Sequence, residues 1–156
     1  MELKVTIDTD KVSTELKIEL AKVLEQPVYL DHLSYDPDDR VKAAVGGNGF
    51  AYKGTLIRLS EYEGNWLPRA AVAGNVKAPK DVIMNLSDDP EKMVRIAAAG
   101  NPSNDPKKLD ELSHDEENYE VRRAVATNPS TLKETREELF NDKETSVWQA
   151  ARRFVG

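Results

Sequence analysis

The chain of 156 residues contains no cysteine, and only 6% of its residues are aromatic. The absence of cysteine excludes disulfide bonds, thiolate zinc sites, Cys-ligated iron–sulfur clusters and a Cys nucleophile. No apolar run approaches the length of a membrane-spanning helix, and the N-terminal sequence MELKVTIDTD lacks the basic and then apolar layout of a signal peptide. We therefore expect a soluble, cytoplasmic protein that does not bind membranes.

Basic residues are outnumbered by acidic ones, 22 against 28, which gives a formal net charge of −6. This charge disfavours broad nucleic-acid binding but leaves room for a local basic stripe. Hydrophobic residues make up 39% of the chain and charged residues 32%, a balance that excludes disordered and collagen-like chains. The length suits a single domain.

An internal repeat is the strongest signal in the sequence. Four octets end in asparagine: VKAAVGGN at 41–48, PRAAVAGN at 68–75, VRIAAAGN at 94–101 and VRRAVATN at 121–128. Leucines recur in phase with the octets at Leu33, Leu59, Leu86, Leu112 and Leu139. A degenerate fifth octet starts at Val147 and has Phe154 where the asparagine would fall. The period is 26 or 27 residues.

Each unit is typical of two short helices. We expect the first helix to begin at an Asp N-cap, with Asp36-Pro37 and Asp89-Pro90 as the clearest cases, and at Asn65 in the second repeat. The second element is a short α- or 3₁₀-helix that carries the recurring leucine. Neither helix can bury its apolar stripe alone, so neighbouring units must stack.

We predict an all-α solenoid of about five units in one domain, residues 1–156. The boundaries are an N-terminal cap at 1–32, repeats at 33–58, 59–85, 86–111 and 112–138, and a C-terminal capping repeat at 139–156. Within the N-terminal cap, residues 2–8 alternate as in a strand and residues 11–25 are typical of an amphipathic helix.

The repeat resembles the leucine-rich repeat variant family of HEAT-like helical repeats. Two stretches carry the resemblance: Leu86 with Asp89-Pro90, Val94-Arg95, Ala97 and Asn101-Pro102, and Leu112 with Asp115, Val121-Arg122 and Asn128-Pro129. The resemblance implies alternating α- and 3₁₀-helices in a right-handed superhelix, and it brings no catalytic residues. Some relatives carry an N-terminal iron–sulfur module, which is not expected here because the chain has no cysteine.

A basic residue recurs at one position of the repeat, at Lys42, Arg69, Arg95 and Arg122. We expect these cations to pair with the cap aspartates of their own or a neighbouring unit. The alternative is an open column that grips phosphates, extended by Arg123, Arg152 and Arg153. The stretch 110–120, with six acids in eleven residues, argues against that alternative.

Other periodic polar residues favour structural roles. Asn48, Asn75, Asn101 and Asn128 share the buried stripe and predict a ladder of hydrogen-bonded amides. A serine follows each of the first four recurring leucines, which favours turn bonding over catalysis. The two histidines, His32 and His114, stand apart from any ligand cluster, and the lysine in the glycine-rich stretch 46–55 is misplaced for a phosphate loop. We predict no catalytic, cofactor-binding or metal-binding residues.

Aromatic side chains in the turns between units are the candidate binding residues, because surface aromatics are favoured interface anchors. The predicted protein-binding residues are Tyr35, Tyr62, Trp66, Glu116, Glu117 and Tyr119, and Trp66 has the alternative role of filling a gap in the aberrant second repeat. We expect a partner to bind at the break in the repeat, residues 50–68, together with the acidic turn at 110–120. The predicted function is a non-enzymatic protein–protein interaction module. The alternatives are a nucleic-acid-binding protein that uses the Lys/Arg column and a small acidic inhibitor of a larger protein machine.

Overall fold

The computed structural model describes residues 11–154, which form eleven α-helices and no strand. The strand predicted at 2–8 lies outside the described residues. In chain order the helices are α1 (Thr14–Val23), α2 (Pro27–Leu33), α3 (Asp39–Gly47), α4 (Lys53–Ser60), α5 (Trp66–Gly74), α6 (Lys80–Leu86), α7 (Lys92–Gly100), α8 (Pro106–Leu112), α9 (Tyr119–Thr127), α10 (Lys133–Leu139) and α11 (Thr145–Arg152). The prediction of an all-α chain is confirmed over this range.

Aspartate side chains close the turns that lead into the longer helices. Oδ1 of Asp36 accepts the N–H of Asp38 at 2.9 Å, and Oδ1 of Asp89 accepts the N–H of Glu91 at 2.9 Å. The N-caps of α3 and α7 are Asp38 and Glu91. The prediction of Asp36 and Asp89 as N-caps is therefore wrong, because each closes an Asx turn two residues ahead of the cap. Asn65 is confirmed as the N-cap of α5, where its Oδ1 accepts the N–H of Leu67 at 2.9 Å.

The even-numbered helices are short but genuinely α-helical. Their first turns close with i→i−4 hydrogen bonds, as in Leu56 N–H to Tyr52 O at 3.0 Å and Leu109 N–H to Asp105 O at 2.9 Å. The alternation of α- and 3₁₀-helices that the resemblance implies is therefore wrong for these helices, because a 3₁₀-helix needs i→i−3 bonds throughout. Seven or eight residues cannot hold an α-helix in isolation, so packing against the longer helices must stabilise them.

Packing follows the order of the chain. Each odd-numbered helix packs against the next odd-numbered helix from α1 to α11, and each even-numbered helix packs against the odd-numbered helix that follows it. Small residues permit the close approach between α3 and α5. A Cβ added at Gly46 would lie 3.1 Å from Val72 Cγ2 and 3.2 Å from Pro68 O, so only glycine fits there without a shift.

The core recurs at fixed repeat positions. The recurring leucines are all buried, and so are the residues that open the octets and the fifth residue of each octet. The fully buried valines of the octets are Val41, Val45, Val72, Val94, Val121, Val125 and Val147. Burial with this spacing on each helix leaves the loops at both helix ends to carry the polar and exposed groups.

Candidate functional site

Four buried asparagines form the predicted ladder, which we call the amide ladder: Asn48, Asn75, Asn101 and Asn128. Asn101 shows the pattern. Its Nδ2 donates to Ala73 O at 2.7 Å and to Asn75 O at 3.1 Å, both in the preceding unit, and its Oδ1 accepts the N–H of Ser103 at 2.9 Å. The other three repeat this geometry. The prediction of a buried amide ladder is confirmed, and each amide supplies donors to carbonyls that the helix end leaves free.

An arginine continues the amide ladder at its C-terminal end. Arg136 occupies the position that holds a buried Leu or Ile in the earlier even-numbered helices. Its Nε donates to Ala126 O at 3.4 Å and its NH2 group to Asn128 O at 2.7 Å, the two carbonyls that a fifth asparagine would bind. Phe154, where that asparagine would fall, lies with its ring 5.1 Å from the guanidinium. Sequence analysis missed this role, because Arg136 lies on the helix that precedes the position of the missing asparagine.

The recurring cations form a second, partly buried ladder, the cation ladder, and its pairing with aspartates is confirmed. Arg69 Nε lies 2.7 Å from Asp89 Oδ2, and Arg122 Nε lies 2.7 Å from Asp142 Oδ2. Arg95 Nε lies 3.2 Å from Asp115 Oδ2. In every case the acid is 20 residues further along the chain, and therefore belongs to the next unit.

Each arginine of the cation ladder also holds a backbone carbonyl at the entrance to its own helix. The NH1 group of Arg69 donates to Tyr62 O at 2.8 Å, and that of Arg122 to Asp115 O at 2.7 Å. The guanidinium thus bridges two units with several directed hydrogen bonds, which the fork geometry of arginine favours.

Two members of the cation ladder depart from the Arg–Asp rule. Tyr62 stands where the next unit should supply an aspartate, and Lys42 Nζ lies 4.9 Å from the centre of its ring. Lys42 also pairs with Asp39 in its own helix at 3.0 Å. Lys17 pairs with Asp36 at 2.7 Å and is a further member, which sequence analysis missed because the first unit has diverged. The spacing of 19 residues between Lys17 and Asp36, close to 20, is the signal that could have found it.

The ion pairs alter the titration of the acids that form them. Burial raises the pKa of the Asp142 carboxyl, but hydrogen bonds from Arg122 and from the Glu144 N–H outweigh burial, and the pKa lies below its usual value. Burial likewise raises the pKa of Asp115, and hydrogen bonds from Asn118 and Arg95 again bring it below the usual value. Both carboxylates therefore stay charged at neutral pH.

The cation ladder leaves little free charge for a phosphate backbone. Lys42 and Arg122 are buried, and the arginines between them are partly buried in their ion pairs. The three arginines proposed to extend the column, Arg123, Arg152 and Arg153, are exposed. Arg152 and Arg153 line an open pocket of about 390 Å³ with Trp148 and Gln149.

The predicted protein-binding residues lie on or beside one set of loops, which we call the acidic edge: 34–38, 61–65, 87–91, 113–118 and 140–144. Exposed acids are frequent there, and they are Glu61, Glu63, Asp88, Glu91, Glu116, Glu117 and Glu144. Lys143 is the only lysine or arginine in these loops. The acidic edge is therefore strongly negative.

The aromatic residues of that prediction differ in exposure. Tyr35 is 66% exposed, with the Arg58 guanidinium 3.9 Å above its ring, and Tyr119 is 41% exposed. Tyr62 is half-buried against Lys42, and Trp66 is half-buried against the core. The gap-filling alternative for Trp66 thus agrees with its position, whereas Tyr35 and Tyr119 remain open to a partner.

The loops at the opposite ends of the helices carry exposed apolar residues that are absent from the predicted protein-binding residues, although the predicted region 50–68 includes two of them. We call this set of loops the amide edge: 48–52, 75–79, 101–105 and 128–132. Phe50, Tyr52 and Val76 are each more than half exposed there. Comparison of the repeats contains the signal, because position 50 holds a polar residue in the other three loops, at Lys77, Ser103 and Ser130.

The periodic serines each donate to a carbonyl of the helix that they end, and Ser34 and Ser87 also accept hydrogen bonds from Arg58 and Asn104. Ser87 Oγ donates to Ile83 O at 3.0 Å and Ser113 Oγ to Asp110 O at 2.6 Å, as predicted for turn bonding. Within residues 11–154, no group of three or more His, Asp or Glu side chains could hold a metal ion. Over the same range, no helix has the length and apolar content needed to cross a membrane.

Comparison with known proteins adds no relative: no family model, no curated protein and no solved structure matches the chain.

Proposed function

We propose that the chain is a right-handed α-solenoid of the leucine-rich repeat variant type and acts as a non-enzymatic module that binds another protein. Two observations support the architecture. The odd-numbered helices pack strictly in sequence, and both ladders join each unit to its neighbour at equivalent atoms. Repeats joined in this way present long surfaces that suit protein partners.

The observation that carries the functional proposal is the set of exposed aromatic residues at single repeats. In a repeat array, residues that folding requires recur in every unit, whereas Tyr35, Phe50, Tyr52 and Tyr119 do not. All four are 41% to 66% exposed, so burial within the chain does not explain them. Large aromatic side chains on a rigid surface are the residues that most often anchor a protein partner.

A second candidate function rests on the acidic edge. The loops of the acidic edge contain seven exposed acids and one lysine, which favours a partner with a basic surface, as expected of a small acidic inhibitor. On this proposal Tyr35, Glu116, Glu117 and Tyr119 would supply the contacts, and electrostatic steering would accelerate association at low salt. A nucleic-acid partner is disfavoured because the arginines of the cation ladder form ion pairs within the chain.

The test is affinity capture with the tagged chain from a lysate of the organism that encodes it, with and without nuclease. Two double variants serve as probes: Phe50→Ser with Tyr52→Asp on the amide edge, and Glu116→Gln with Glu117→Gln on the acidic edge. We expect one protein to be recovered in stoichiometric amounts despite nuclease, and one variant to lose it. Recovery that depends on nucleic acid, or that neither variant changes, would refute the proposed function.

A further inference from the structure

Three exposed apolar side chains lie on two adjacent loops of the amide edge. Phe50, Tyr52 and Val76, the apolar patch, are 53%, 52% and 52% exposed. The two loops are stacked, since Asn75 Nδ2 donates to Asn48 O at 3.1 Å. The patch therefore spans neighbouring units on a single surface.

The amide ladder holds the patch in place. Asn48 Oδ1 accepts the N–H of Phe50 at 2.8 Å, while Asn48 Nδ2 donates to Ala21 O and Leu24 O at 2.8 and 2.9 Å. The loop that carries Phe50 is thus tied to the preceding unit through a buried amide. The backbone at Phe50 is therefore ordered before a partner binds, which lowers the entropy cost of binding at this loop.

The patch departs from the repeat at the positions that are exposed. Where the first loop has Phe50, the third has Ser103, and where it has Tyr52, the third has Asp105. The third loop makes the same ladder bonds with those polar residues. Folding of the loop therefore does not require an aromatic residue at either position.

Unneutralised lysines flank the patch. Lys53 and Lys77 are exposed and form no ion pair with any described residue, whereas Lys80 pairs with Asp105 at 2.8 Å. Asp81 is the only acid within residues 48–53 and 75–81. Within these two stretches lysines therefore outnumber acids three to one, on a chain whose formal net charge is −6.

We propose that the apolar patch binds a short acidic peptide segment of a partner protein, with one or two large apolar side chains that contact Phe50, Tyr52 and Val76 and flanking Asp or Glu residues that pair with Lys53 and Lys77. This inference rests on the proposed function and specifies its partner. A short peptide fits better than a nucleic acid, because a long polyanion would also meet the negative field of the chain as a whole.

The test is selection of a phage-displayed random dodecapeptide library on the immobilised full chain, followed by fluorescence anisotropy with the most enriched synthetic peptide. We expect enriched sequences that combine Asp or Glu with Leu, Ile, Phe or Trp. Phe50→Ser with Tyr52→Asp should weaken the affinity at least about tenfold, as loss of aromatic anchors does. Lys53→Glu with Lys77→Glu should weaken it about as much and remove most of its salt dependence.

The matched control is Leu132→Asp, which makes the change of Tyr52→Asp at the equivalent position three units away, where Leu132 is 42% exposed. It should leave peptide affinity unchanged, and circular dichroism should show that all variants melt like the parent chain. Enrichment of basic peptides, no enrichment, equal loss in the control, or tight binding of a labelled single-stranded DNA at the patch would each overturn the inference. If one of these outcomes occurs and a protein is still captured from lysate, the peptide-binding inference fails while the proposed function stands.

Discussion

The two ladders solve the same problem, which is to join one unit to the next, and they tolerate change very differently. The amide ladder uses the same residue in four consecutive units and, from Asn75 onward, the same pair of backbone carbonyls as acceptors. The cation ladder uses Lys or Arg, accepts Asp or Tyr as partner, and shifts by one residue at Lys17.

The difference follows from what each ladder satisfies. Backbone carbonyls at a helix end are buried and fixed in space, so only a donor of the right reach can serve them. A cation at a partly open site can instead exchange one partner for another, because water and neighbouring dipoles share in its stabilisation. We expect substitutions to be costly in the amide ladder and graded in the cation ladder.

Asn101→Leu should have the largest effect. It leaves Ala73 O, Asn75 O and the Ser103 N–H without their partner in a buried site. Each orphaned group costs about 1–3 kcal/mol, so we expect a loss of about 4 kcal/mol in the free energy of unfolding. The melting temperature should fall by about 10 °C.

The matched control for that substitution is Asn85→Leu, which changes an exposed asparagine on α6. It should alter stability by less than about 0.5 kcal/mol, as surface substitutions usually do. If both variants melt alike, the amide ladder does not stabilise the array.

Arg122→Met should be the next most harmful change, at about 3 kcal/mol, because it leaves the buried Asp142 carboxylate without its cation. Denaturant unfolding at pH 7 measures this loss. Arg123→Met is the control, since Arg123 is exposed and its neighbour carries the ion pair.

The pH dependence of Arg122→Met has a definite sign. The pKa of Asp142 is depressed in the folded chain, so its ion pair stabilises the fold above the ordinary aspartate pKa of about 3.9 and loses that effect as pH falls through the folded value. The variant lacks the pair, so the gap in melting temperature between it and the parent chain should shrink below about pH 4. A gap that stays constant from pH 7 to pH 3 would show that the pair does not contribute.

Tyr62→Asp should have the smallest effect, because it replaces a cation–π contact with Lys42 by an ion pair of similar strength. We expect the free energy of unfolding to change by no more than about 0.5 kcal/mol on that basis.

The reverse change at the equivalent position, Asp89→Tyr, should lower the free energy of unfolding by about 2 kcal/mol, because Arg69 loses two hydrogen bonds from its guanidinium. If the two variants lose equal stability, the Lys42–Tyr62 contact does not differ in strength from the Arg–Asp pairs of the cation ladder.

The sequence was sufficient to predict features that recur. The helix pairs, the buried asparagines and the Arg–Asp pairs each repeat with the period, so the spacing alone identifies them. The Asp36 and Asp89 turns were assigned to the wrong position because an Asx turn and an N-cap use the same residue type. Both accept the N–H two residues ahead, as Asp36 does from Asp38 and the N-cap Asn65 does from Leu67. The difference is whether helical backbone follows at once, and spacing does not encode that.

Features that occur once were beyond this reasoning. Arg136 lies at a core position, and only the fold brings its guanidinium to Ala126 O and Asn128 O. The exposure of Phe50 and Tyr52 depends on how the loops stack, since an aromatic residue in a turn can equally well face the core, as Trp66 does. The candidate surface was therefore only partly predictable.

Arg136 also bears on how such an array could change in length. The Arg136 guanidinium, which binds the last free carbonyls of the amide ladder, comes from α10 within the last full unit. Extra units inserted before residue 112 would therefore leave Arg136 at the C-terminal end of the ladder. Each inserted unit would supply its own asparagine, which would bind two backbone carbonyls of the preceding unit. Duplication of residues 86–111 should therefore lengthen the row of helices without uncovering either end, so the chain could gain binding surface in steps of one repeat.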